Sequence, residues 1–262
     1  MVCEDTTTPF AMDGYHKTNL DVAKDVVKKD WDMIFIYDGA EGAGKSVKAM
    51  QDAFYCDTTL NIDRIVFNDE DFKKVILSSQ KYQSIVYDEA YGGLGSRAAM
   101  STVNKAIVQM LTVIRERNLF IFIVLPTFFD LDKYVALWRS RALIHIYAHD
   151  GFQRGFFKFY NNERKKIMYV AGKKYYDYRK GKPNFIGRFS KKYVIDEDEY
   201  RKKKRETSLT IGNDDSNTTG KILKDIAIHL YVVHGWSVKK IVEALPRNQA
   251  QIYRFLEGNL RK

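Results

Sequence analysis

The sequence predicts an α/β protein built on a mainly parallel sheet flanked by helices, and three observations carry that prediction. Short apolar runs alternate with stretches of helical periodicity over residues 31–150. One of those runs leads directly into a glycine-rich turn and then a helix. A second run, about forty residues on, ends in two adjacent carboxylates. The chain has 262 residues, room for one domain or two.

Residues 1–30 read as a polar N-terminal arm with one short helix around Leu20–Lys29. Strands are predicted at Met33–Tyr37, Ile62–Phe67, Ser84–Tyr87, Leu119–Leu125 and Ala142–Tyr147, because parallel strands covered on both faces read as near-continuous apolar runs. Helices fall between them at Lys45–Tyr55, Asp69–Ser79, Ala98–Glu116 and Leu131–Trp138. From about residue 151 the chain changes to short aromatic and basic runs, Phe156–Tyr160, Ile167–Val170 and Lys173–Tyr178, which read as β-hairpins appended to the sheet. Asp196–Glu206 is predicted helical and contains five consecutive cations, Arg201–Arg205. The α/β domain thus spans residues 31–206.

Thr207–Thr219, with Gly212, Asn213, Asp214, Asp215, Ser216 and Asn217, is predicted to be a flexible linker. Residues 220–262 then form a small all-α domain. Lys221–His234 carries an apolar stripe at Ile222, Ile226, Leu230 and Val233. Gly235-Trp236 breaks it, Ser237 caps a second helix over Val238–Leu245, and Pro246-Arg247-Asn248 turns into a third over Gln249–Leu256.

Composition narrows the function classes. Hydrophobic residues at 45% and charged residues at 29% describe a folded chain. The longest apolar run, Leu119–Leu125, falls far short of the roughly 18 residues that span a membrane. Met1–Phe10 is acidic and polar and shows no secretory signal. Cys3 and Cys56 supply neither a disulfide framework nor a zinc site. A cytoplasmic protein is expected. Its net charge of +10 is uneven: residues 1–150 carry −4, residues 151–206 carry +11, and residues 207–262 carry +3. A basic block of this kind points to a polyanionic partner.

Gly39-Ala40-Glu41-Gly42-Ala43-Gly44-Lys45-Ser46 fits the phosphate-loop pattern G-x-x-x-x-G-K-[ST]. The glycines let backbone N–H groups, through Val47 in the first helical turn, point at phosphates. Lys45 reaches the β- and γ-phosphates, and the Ser46 hydroxyl is a ligand for Mg²⁺. ATP and Mg²⁺ are therefore the expected cofactors. In the run Ser84–Tyr87 followed by Asp88-Glu89, Asp88 is the candidate for the metal's shell and Glu89 for polarising an attacking water. Glu89 favours hydrolysis over a kinase, which must exclude water. Thr127, after the run Leu119–Leu125 and Pro126, is a candidate sensor of the γ-phosphate. Arg115 and Arg117, closing the helix before that run, are candidates for an arginine that serves a neighbouring subunit, with Arg139 and Arg141 as competitors. Cations at a helix C-terminus also simply complement its dipole.

Together, Gly39–Ser46, Asp88-Glu89 and the strand ending at Pro126-Thr127 resemble the additional-strand P-loop ATPases with a RecA-like core. Asp88-Glu89-Ala90 with the glycines after it, Arg115-Glu116-Arg117-Asn118 and Leu131-Asp132 are similar to the FtsK–HerA-type motors. Within that group the likeness is to viral DNA-packaging ATPases and zonula-occludens-toxin-like phage assembly proteins, and it covers about residues 31–150. The resemblance implies a ring, a pentamer or hexamer, with nucleotide between subunits, an arginine such as Arg115 acting in trans, and a procapsid or portal-like partner. The membrane segment usual in the zonula-occludens-toxin-like proteins is not seen in this sequence, and no membrane partner is expected.

The basic block holds twelve aromatics over residues 151–193. They read mainly as β-structure core, with stacking on unpaired bases the other reading. The cations Arg154, Lys158, Arg164, Lys165, Lys166, Lys173 and Lys174 read as contacts to the phosphates of double-stranded DNA. The C-terminal helices resemble the helix-turn-helix of resolvase- and transposase-type DNA-binding domains in Gly235, Ser237, Ile241, Leu245 and Ile252-Tyr253-Arg254. That resemblance makes Asn248, Gln249, Gln251 and Arg254 the candidate DNA contacts. The five histidines read as structural. The expected function is an ATP-dependent DNA translocase of the genome-packaging kind; the alternative is an ATP-switched DNA-binding regulator or loader without translocation.

Overall fold

A computed structural model describes residues 2–3, 9–88, 97–150, 152–232, 234–245 and 248–257, with side chains at all of these except 2–3, 97–103 and 208–222. The described chain divides into two compact units, Met1–Thr207 and Ser208–Lys262.

The strands of the first unit form where apolar residues alternate faces. After a short pair, β1 (Val2–Cys3) and β2 (Met12–Asp13), and helix α1 (Gly14–Val27), strand β3 (Met33–Gly39) leads into α2 (Lys45–Cys56). Then come β4 (Ile65–Val66), α3 (Asp69–Ser78), β5 (Ser84–Tyr87), α4 (Arg97–Glu116), β6 (Phe120–Val124), β7 (Ala142–His149) and β8 (Gln153–Tyr160). Helix α5 (Asn162–Gly172) and strand β9 (Phe185–Arg188) complete the sheet region. The seven-stranded sheet has the order β4-β5-β6-β3-β7-β8-β9. Its first five members are parallel, and β8 and β9 are antiparallel additions.

Side chains two apart share a face of a strand. Ile34 and Ile36 of β3 and Ile121 and Ile123 of β6 therefore join one core, covered by α3, α4 and α5 through Phe72, Ile76, Ile107, Ile114 and Met168. Met33, Phe35 and Tyr37 with Phe120, Phe122 and Val124 join the other, covered by α1 and α2 through Leu20, Val27, Met50 and Ala53. This is the predicted α/β class, a mostly parallel sheet between two helical layers. Among the described residues no helix is long and apolar enough to cross a membrane.

Several expectations are corrected. Ile167–Val170 lies in α5, not in a hairpin, because Lys165, Met168, Tyr169 and Gly172 are buried at helical spacing. Lys173–Tyr175 and Tyr178–Lys180 are single 3₁₀ turns. The helix expected at Leu131–Trp138 is a π-helical turn, Val135–Arg139, after a 3₁₀ turn at Phe128–Asp130. The strand expected at Ile62–Phe67 shortens to Ile65–Val66 behind a 3₁₀ turn at Ile62–Arg64. The arm helix starts earlier, at Gly14, where the Asp13 side chain accepts from the His16 N–H. The stretch 207–219 is helical: α6 runs from Glu197 to Val232.

In the second unit, Ala227 of α6 packs with Ile241 of α7 (Val238–Ala244) and with Ile252 of α8 (Gln249–Phe255) and Leu256 just beyond it. Ser237 caps α7 by accepting from the Lys240 N–H. Pro246 and Arg247 of the expected turn lie outside the described residues.

Candidate functional site

The C-terminal ends of β3, β5, β6 and β7 meet along one edge of the sheet, and the motif residues gather there. β3 ends at Gly39, whose φ of +129° only glycine adopts readily. A Cβ there would come 1.9 Å from the Ile146 carbonyl oxygen of β7. Gly42 and Gly44 also have positive φ, +71° and +103°, and Gly44 is the N-cap of α2 with no side chain capping that helix. The turn thus wraps back on itself and opens onto a helix N-terminus. Lys45 Nζ lies across it, donating to Gly39 O at 2.7 Å and Ala40 O at 3.2 Å. Burial lowers the Lys45 pKa, against the fields of Asp38, Asp88 and Glu41. Ala43 and Val47 are buried beneath the loop, while Glu41 is exposed.

β5 delivers Asp88 to the same place. The Ser46 hydroxyl donates to Asp88 Oδ1 at 2.9 Å, joining residues 42 positions apart. The other Asp88 oxygen is engaged from α6: the Tyr200 hydroxyl donates to Oδ2, and Lys204 Nζ lies 3.6 Å from it. Burial and the Asp88 charge raise the Tyr200 pKa, so Tyr200 stays a donor. Glu89 lies outside the described residues.

Between β3 and β5 sits β6, and beyond its end Thr127 faces a buried network. His145 Nδ1 lies 2.9 Å from Asp38 Oδ1, and its ring stacks on Tyr178 at 4.2 Å. The Tyr178 hydroxyl donates its one proton to Asp38 Oδ2. Thr127 then donates to Tyr178 at 3.0 Å and accepts from the Phe129 N–H. The Phe128 N–H closes the network on Asp38 Oδ2 at 2.9 Å. Thr127 is therefore placed at the loop end of the sheet, but its hydroxyl is already held by the chain.

The arginines are not brought there. Arg115 and Arg117 precede Phe120, which pairs with Met33 at the opposite end of β3. That is about one strand length from the loop, roughly 20 Å. Arg115 and Arg141 lie over the Trp31 ring at 5.2 and 4.8 Å. Arg117 donates to the Ser79 carbonyl, and Arg139 pairs with buried Asp32 at 2.7 Å.

The expected DNA contacts scatter. Lys165 is buried and donates to the Ala136 carbonyl at 2.6 Å, and burial pushes its pKa down to about 7; it cannot face a phosphate from there. Lys166 lies over Trp138 and Lys158 over Tyr147. Arg164 donates to the Lys182 and Pro183 carbonyls, Lys173 to the Tyr169 hydroxyl, and Lys174 lies over Tyr175. Arg154 is exposed near Gly42 of the loop. In the second unit Asn248 and Gln251, both candidate DNA contacts, form a capping box on α8 that engages their side-chain oxygens. Gln249 and Arg254 remain exposed. Within the cation run Arg201–Arg205, Arg201 pairs with Glu197, and Lys203 donates to the Ile62 and Ile65 carbonyls at 2.8 Å.

Sequence reasoning missed Asp38, His145, Tyr178, Tyr200 and Lys204. Asp38 alone carried a signal, a carboxylate at the end of an apolar strand. His145 reaches the site through strand register, opposite Asp38, Tyr178 through a 3₁₀ turn 140 residues beyond Asp38, and Tyr200 and Lys204 through α6, Tyr200 lying 112 residues beyond Asp88. No protein-family model matches the chain, and no curated protein matches it in sequence.

Proposed function

We propose that this chain is a Mg²⁺-dependent P-loop ATPase with a RecA-like core that translocates double-stranded DNA, as genome-packaging motors do. The observation that carries the nucleotide reading is the meeting of Ser46 and Asp88 at 2.9 Å beside a glycine turn and a helix N-terminus. The strand order supports it, because β6 separates β3 from β5 as an additional-strand core requires. The residues fit Mg²⁺: two hard oxygen donors suffice where water and phosphate supply the rest. Mg²⁺, when bound, neutralises charge on the transferred phosphoryl group. Lys45 leaves the loop carbonyls for the β- and γ-phosphates, Asp88 orients the metal's shell, and Glu89 takes a proton from the attacking water. Tyr200 is a positioning residue for Asp88. Arg115 and Arg117, a strand length from their own loop, act in a neighbouring subunit of a ring. α7 and α8 act as a helix-turn-helix, with Gln249 and Arg254 toward DNA.

Removing the Tyr200 hydroxyl in Tyr200→Phe is expected to raise the Mg²⁺ concentration for half-maximal turnover by roughly 10-fold, the usual effect of losing a ligand's supporting hydrogen bond. An unchanged Mg²⁺ titration would reduce Tyr200 to a packing role.

One observation favours a second reading, a nucleotide-switched DNA-binding regulator: Arg164, Lys165, Lys203 and Lys204 are bound to the protein's own oxygens, which leaves fewer cations for tracking DNA. Phosphate release with and without double-stranded DNA separates the two. The motor reading expects stimulation of about 10-fold or more that disappears in Glu89→Gln, whose lost general base costs roughly 10²–10⁴-fold. Slow turnover indifferent to DNA would favour the switch, and normal hydrolysis by Glu89→Gln would remove Glu89 from the mechanism.

A further inference from the structure

The loop has a neighbour on its far side from Asp88. The hairpin between β7 and β8 and the end of β9 reach the same edge of the sheet, and there Phe152, Arg154, Phe156, Arg188, Phe189 and Lys191 line an open groove of about 480 Å³. Its two walls are locked: the Phe189 N–H donates to Gly155 O at 2.9 Å, and Gly155 has a φ of +100°. A Cβ on Gly155 would meet the Phe189 carbonyl oxygen at 2.8 Å, so the walls could not close this tightly around a side chain.

The groove touches the loop in two places. A Cβ on Gly42 would lie 3.7 Å from Arg154 Nη2, and one on Gly44 would lie 3.2 Å from the Phe189 ring. Arg154 makes no hydrogen bond or ion pair with any described residue. Arg188 lies over the Phe156 ring at 4.8 Å, and Phe152 is 91% exposed. Three cations, three aromatic rings and no carboxylate among the lining residues describe a site for an aromatic anion.

Resting on the phosphate-loop reading, we propose that this groove is the nucleoside end of the nucleotide site. The base of a nucleoside triphosphate stacks on the phenylalanine faces, and Arg154 contacts the phosphate chain from the same subunit. A phosphate chain seated on the loop brings its negative charge to within reach of the Arg154 guanidinium, which no described residue pairs. Arg154 then belongs with the nucleotide rather than with DNA. Phe152 is a binding residue whose large exposed ring is accounted for by the base.

The test is calorimetric binding of ATP and of inorganic tripolyphosphate, each with Mg²⁺, to the full chain. Wild-type protein is expected to bind ATP more tightly than tripolyphosphate. Phe152→Ala, an exposed position whose loss leaves the core intact, should weaken ATP about 10-fold and leave tripolyphosphate unchanged. Arg154→Ala should weaken both about 10-fold. Equal affinity of wild-type protein for the two ligands would overturn the proposal. So would unaltered binding in both variants while Lys45→Ala still loses it, or loss of duplex DNA binding by Arg154→Ala with ATP affinity intact. If Lys45→Ala bound both ligands normally, the phosphate-loop reading beneath the proposal would itself fall.

Discussion

Replacing Lys45 with alanine is expected to lower ATP turnover by on the order of 10³-fold and leave the protein folded. The two halves of this result have separate causes. Lys45 is half-buried at the loop, and among the described residues its ammonium donates to two backbone carbonyls, Gly39 O and Ala40 O. Its removal opens no core cavity. A preorganised cation aimed at the transferring phosphoryl group, by contrast, acts where charge develops, and losing one such donor costs orders of magnitude in rate. Burial already weakens the hold of Lys45 on its proton, and Asp38, Asp88 and Glu41 oppose that loss. Those carboxylates favour the charged ammonium, and a bound nucleotide would add to them. Phosphate release, paired with a urea unfolding curve for the same variant, checks both halves. Turnover within a few-fold of wild type would end the assignment of Lys45, and a collapsed unfolding midpoint would make it structural.

The parts of this site that could be read from the chain are those made of contiguous residues. β3, β5 and β6 declare themselves because both faces are covered, so their residues form unbroken apolar runs. The loop declares itself because φ values of +129° and +103° at positions 39 and 44 are ones that glycine alone adopts readily. α5 was hidden because its buried stripe includes Lys165, which breaks the apolar period and leaves Ile167–Val170 looking like a strand. The expected linker was misleading for a different reason. Gly212 and the Asn-Asp run have low intrinsic helix propensity, but helix growth is cooperative and proceeds from ends that are already packed. α6 has two such ends, Tyr200 in the first unit and Ala227 in the second. Tyr200 and Lys204 were invisible as site residues because nothing local marks them. They look like a solvated helix face until the fold lays that face on Asp88.

Asp52→Ala is expected to destabilise the first unit by about 3–5 kcal/mol, because it strands a buried cation. Asp52 lies fully buried on α2 and accepts from three directions. Lys48 Nζ bonds Oδ1 at 2.5 Å, while the Tyr37 hydroxyl and His16 Nε2 reach Oδ2 at 2.7 and 2.8 Å. These partners come from β3, α1 and α2 itself, so the carboxylate ties the N-terminal helix to the helix that carries Ser46. Without it buried Lys48 loses its hydrogen-bonded carboxylate and is left with the Phe157 ring, 4.8 Å away, and the field of Asp13. Asp52→Asn, which keeps the volume and an acceptor, is expected to lose less and serves as the folded comparison. The same network gives stability an acid dependence with a definite sign. Burial lowers the His16 pKa from its ordinary 6.5 despite the Asp52 charge. Below that pH the unfolded chain takes up a proton that the folded chain does not, so stability falls as pH falls from 7 toward 5. The Asp52 pKa is lowered to about 2 by His16 and Lys48, which outweigh the opposing effect of burial. Its contribution is present above the ordinary carboxylate value of 3.8 and is lost as pH falls toward 2. Chemical unfolding between pH 8 and pH 2 checks both windows. A flat profile from 7 to 5 would mean that His16 titrates alike in the folded and unfolded chain. Asp52→Ala within about 1 kcal/mol of wild type would reduce the network to ordinary hydrogen bonds.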